Sequence, residues 1–80
     1  MKNNWYSREI GTAWFGRHVV IVRCNPQTNT FIGIHTSLHA PTEPPNQNCT
    51  ETIAQLLSIG YSLSHSYAIS PYEVQYILVK

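Results

Sequence analysis

An 80-residue chain of 9.1 kDa is one domain's worth of polypeptide, and 42% hydrophobic against 11% charged residues excludes a chain too polar to fold. Five Lys/Arg against four Glu, with no Asp, give a formal charge of +1 and an isoelectric point near 7.8. That balance excludes the broad basic field that wraps duplex DNA.

The start, Met1-Lys2-Asn3-Asn4-Trp5, lacks the apolar centre of a signal peptide, and no apolar run approaches the ~18 residues of a membrane span. A cytoplasmic protein is expected, or one in the host cytoplasm if phage-encoded. Cys24 and Cys49 are the two cysteines and are not in CxxC spacing, so both are expected as buried thiols. The sequon Asn48-Cys49-Thr50 has no use without secretion. The first sixteen residues contain Trp5, Tyr6, Trp14 and Phe15 and are given no element.

Residues 17–24 hold the β-branched run Val19-Val20-Ile21-Val22 between polar flanks, which predicts a strand. Asn25-Pro26-Gln27-Thr28-Asn29 is turn chemistry, so residues 30–38 return as the second arm of a hairpin. Residues 40–48 contain Pro41, Pro44 and Pro45 and read as a loop. Asn48 followed by Glu51 resembles a capping box and opens a helix whose apolar stripe is Ile53, Leu56 and Leu57, stopped by Gly60. From Tyr61 to Ser70, larger residues alternate with serines and Ala68, the period of a strand, and Ser70-Pro71 turns the chain into a last strand over 72–80. Two hairpins bracketing one helix predict an α+β domain over residues 1–80: an antiparallel four-stranded sheet with one helix on one face, ββαββ. A chain this small buries only about 60% of its unfolded surface, so homo-oligomerisation is expected to supplement its core.

From residue 50 onward the chain resembles small bacterial and phage domains in which a helix ends in a leucine pair, a Gly-aromatic step enters a strand and a Tyr-Ile-Leu strand follows. Here these are Leu56-Leu57, Gly60-Tyr61 and Tyr76-Ile77-Leu78. The likeness covers about 30 residues, implies the same α+β arrangement and carries no catalytic residue.

Strict alternation assigns Val20, Val22, Ile32, Ile34, Leu38, Tyr61, Leu63 and Tyr67 to the helix-facing core. The reverse face then carries Arg17, Val19, Ile21, Arg23, Phe31, Gly33, His35, Ser37, Ser62, Ser64, Ser66, Gln75, Ile77 and Val79. Apolar residues interleaved with arginines, a histidine and serines resemble a surface awaiting a partner or ligand. Arg17 and Arg23 offer fork-like donors, and His35, Ser37 and Ser64 offer hydrogen bonds. Trp14 and Phe31 offer rings for a base at ~1–3 kcal/mol per stack. The same residues also suit packing between subunits.

Catalytic patterns are incomplete. His35-Thr36-Ser37 matches half of a two-histidine phosphoesterase signature, but His65-Ser66-Tyr67 has a tyrosine where the second half needs the compact hydroxyl of Ser or Thr. His35 and His39, i and i+4 on a strand, stand ~13 Å apart, too far for one zinc ion. The four Glu are scattered and no phosphate-binding glycine loop exists. The sequence therefore predicts a non-enzyme without metal or cofactor. The expected function is stoichiometric sequestration of a nucleotide-like small molecule by an oligomer, like the sponges with which phages blunt host signalling. The alternative is a protein-binding inhibitor or accessory subunit using Trp5, Trp14 and Phe15 as anchors.

Overall fold

The computed structural model describes residues 16–80. In chain order the elements are β1 (Val19–Asn25), β2 (Thr30–Thr36), α1 (Cys49–Ser58), β3 (Ser62–Ser70) and β4 (Glu73–Val79). They form one antiparallel sheet in the order β2-β1-β4-β3, the α+β arrangement that the periodicity predicts. The helix packs on β1 and β2. None of the described helices is long and apolar enough to cross a membrane.

β1 alternates as a half-buried strand should: Val20, Val22 and Cys24 are buried toward the helix, and the residues between them are more exposed. Leu78, opposite Val20, continues this core into β4. Cys49 and Leu56 close it from the helix and Tyr61 from the chain just beyond, with Phe31, Ile34, Ala40, Ile53, Ile59 and Tyr76 around them. Thr52 is also buried, its hydroxyl donating to the carbonyls of Asn46 and Asn48. Leu57, expected on the buried stripe, is 46% exposed.

Local chemistry sets the joints. The Asn25 carboxamide accepts from the Gln27 N–H, and Asn29 takes a left-handed φ of 56°, so the β1–β2 turn uses both asparagines. Asn48 caps α1 by accepting the Glu51 N–H at 3.0 Å. Gly60, at φ 106°, lets the chain leave the helix.

Three expectations are corrected. Cys24 and Cys49 are joined in a disulfide, with Cα atoms 5.8 Å apart, tying β1 to the start of α1. Spacing alone could not show this, because the fold brings together residues 25 apart. A bulge between Arg23 and Cys24 pairs Cys24 with Phe31, so Phe31 turns into the core and Ile32 out of it. Leu38, Leu63 and Tyr67 are likewise outside the core, at 83%, 51% and 51% exposed.

Candidate interaction surface

The sheet face away from the helix is built by register. In an antiparallel ladder directly opposed residues point the same way, so the pairs can be read as rows across the strands. One row runs His35, Ile21, Ile77, His65 from β2 to β3. The next toward the start of β1 has Val19 opposite Val79 and Val79 opposite Ser62. On the other side lie Gly33, Arg23, Gln75 and Tyr67. Val19, Ile21, Ile77 and Val79 therefore form a two-by-two apolar block on the central strands. The described residues place no element over it.

β3 meets this face differently from strict alternation. Its register shifts between Leu63 and His65 and again between Ala68 and Ser70, leaving Ser64 and Ile69 as extra residues. The first shift exchanges the faces: His65 and Tyr67 join the helix-free side, while Ser66, opposite Tyr76, goes to the helix side. The His65 and Tyr67 rings are parallel, with centroids 6.1 Å apart, and the Ser64 hydroxyl lies 2.8 Å from His65 Nδ1. Only Ser62 of the three serines expected on this face remains squarely on it.

Arg23 is committed within the chain. Its Nε and Nη2 donate to Glu73 at 2.8 and 3.2 Å, and Gln75 Nε2 donates to the same carboxylate at 3.1 Å. The hydrogen bond from Arg23, with a second from Gln75, holds the Glu73 carboxyl down to about 2. Arg23 is thus a neutralised, two-pronged ion pair and not a spare phosphate receptor. Sequence reasoning missed Glu73 because its partner is 50 positions away.

The other expected site residues are spread out. Ser37 accepts the Val19 N–H, a structural bond that fastens the end of β2 to β1. Arg17 and His35 are exposed, Arg17 before β1 and His35 in the row beside Ile21. Phe31 lies on the opposite side, against the core. Trp14, like Trp5 and Phe15, lies outside the described residues. Among the described residues no group of three or more His, Cys, Asp or Glu is placed to hold a metal ion.

Comparison with protein-family models, with curated proteins and with solved structures finds no match to this chain. The surface chemistry therefore carries the functional argument. A cleft lined by Ile34, Glu43, Thr52, Gln55, Leu56 and Ile59 measures about 10 Å³, room for one water and not for a nucleotide. Beside it Tyr61 donates to the Pro41 carbonyl at 3.0 Å, and Lys80 Nζ stands 5.7 Å from the Tyr61 ring centre. Burial pushes the Tyr61 phenol above its ordinary range. These contacts pin the proline-containing loop to the helix side and leave the opposite face as the broad surface.

Proposed function

We propose that this chain is a non-enzymatic binding protein that engages a protein partner through the helix-free face of its sheet. The observation that carries this reading is the block of Val19, Ile21, Ile77 and Val79, flanked by His35, His65, Tyr67 and Ser62. An apolar centre inside a polar and aromatic rim is the anatomy of a protein–protein contact. Pairing of Arg23 with Glu73 adds to it by removing uncompensated charge from the rim. The fitting partner presents an apolar protrusion ringed by hydrogen-bonding groups. The disulfide supports action in an oxidising compartment, in place of the cytoplasm suggested by the first residues.

A second reading, stoichiometric sequestration of a nucleotide-like molecule, draws on a separate observation. Where β1 begins and β4 finishes, the formal cations Arg17 and Lys80 stand at the same end of the sheet, with His18 and Lys80 exchanging backbone hydrogen bonds. A cationic end of this kind suits phosphate groups. It differs from the expected site in using Lys80 and in dispensing with Arg23 and Phe31.

Native mass spectrometry of the oxidised protein purified from a host tests both readings in one spectrum. Under the first, a stoichiometric protein complex is present and Val19→Lys weakens it at least about tenfold, with the circular dichroism unchanged. A complex indifferent to Val19→Lys overturns that reading. Retention of a nucleotide that Arg17→Ala releases, with no protein bound, establishes the second.

A further inference from the structure

The two sheet edges are treated differently. β2 is bordered at its start by the returning chain: Phe31 N–H donates to the Gln47 carbonyl at 2.8 Å, and Cys49 N–H to the Asn29 carbonyl at 2.9 Å. Among the described residues β3 is bordered by β4 alone, and all nine of its residues are exposed. One row of its backbone groups thus lacks a strand partner among the described residues. Natural edges are ordinarily blunted by charged residues, proline or bulges, and of these β3 carries bulges alone. Here no Asp, Glu, Lys or Arg occurs from Thr52 to Tyr72, and no proline lies within β3.

From this edge we infer that two copies of the chain pair antiparallel through β3, about a two-fold axis at Ser66. The argument for a second copy is the order of residues. An isologous antiparallel contact sets each residue opposite the one equally far from the axis, so the strand must match its own reversal. β3 does: Ser62 meets Ser70, Leu63 meets Ile69, Ser64 meets Ala68, His65 meets Tyr67, and Ser66 meets itself. Small residues face small, aliphatic face aliphatic and ring faces ring. His65 and Tyr67 already share one face, so pairing assembles four rings, two from each copy, beside the apolar blocks.

The bulges at Ser64 and Ile69 lie on either side of the axis, so the regular pairing is His65 with Tyr67 and Ser66 with itself, and the outer matches fall at the bulges. An isologous contact occupies the β3 edge of both copies, so assembly through this edge closes at two chains. The product is an eight-stranded sheet in the order β2-β1-β4-β3-β3-β4-β1-β2, with both helix-free faces on the same side. This inference stands apart from the partner reading, since the edge joins copies whatever the face binds.

Sedimentation velocity over a concentration series tests it. The wild-type chain is expected to dimerise, and Ser66→Lys, which sets two ammonium groups against each other at the axis, to weaken the dimer at least about tenfold. Ser66→Glu should do the same, and mixing the two variants should restore a dimer containing one of each. Circular dichroism and thermal midpoint verify that both variants fold, as expected for an exposed position. A wild-type chain that stays monomeric at the highest concentration reached overturns the inference. So does a dimer that persists unchanged in Ser66→Lys, or a failure of the mixed variants to associate.

Discussion

At the scale of single residues, the ion pair of Arg23 and Glu73 decides what the helix-free face can do. Arginine on a strand reads as a free cation until its carboxylate is found, and that carboxylate stands at the opening of β4. The pair also predicts acid behaviour. The Glu73 carboxyl lies at about 2 in the folded chain against an ordinary 4.5, so the folded state binds this proton less readily than the unfolded chain. Its stabilisation is present above about 4.5 and is lost as the pH falls toward 2. Urea unfolding of Glu73→Gln should therefore show a flatter decline across that window than the wild type. Equal slopes would assign the acid sensitivity to other groups.

At the scale of elements, the helix start is the most heavily bonded joint. Asn48 Oδ1 accepts from the Glu51 N–H, the Thr50 hydroxyl and the Asn29 carboxamide, and Asn29 Nδ2 also donates to Thr50. The expected cap is therefore present, but the Asn48 N–H donates to the Asn46 carboxamide. Asn48→Ala should lower stability by ~1 kcal/mol, read as a shift in the urea midpoint at unchanged slope. The strand pairs were equally legible from β-branched runs and turn residues, and the observed ends fall within two residues of the expected ones. The faces of β3 were not, because each bulge resets the period of two and depends on the partner strand.

At the scale of the whole molecule, the seven buried hydrophobic residues among those described make a small core, and the disulfide crosses it. A cross-link between residues 25 apart contributes about 3.5 kcal/mol in the loop-entropy description, a large share of the stability of a domain this size. Reduction, or the double substitution Cys24→Ala with Cys49→Ala, should lower the unfolding free energy by ~3 kcal/mol, measured by urea titration with and without reductant. Insensitivity to reductant would mean that the thiols are unlinked in solution. The helix covers β1 and β2, whereas β3 is exposed along its whole length, so the β3–β4 hairpin keeps surface to share.

Local chemistry was enough to determine the element order, the helix cap, the β1–β2 turn and the inward alternation of Val20 and Val22, because each depends on neighbours within a few residues. The tertiary structure alone decided the Cys24–Cys49 link, the pairing of Arg23 with Glu73, the burial of Phe31 and the outward turn of Tyr67. Each of those is a contact or register between strands and helix, and a one-residue bulge moves a side chain from one side of a sheet to the other without any change in the local pattern that announces the strand.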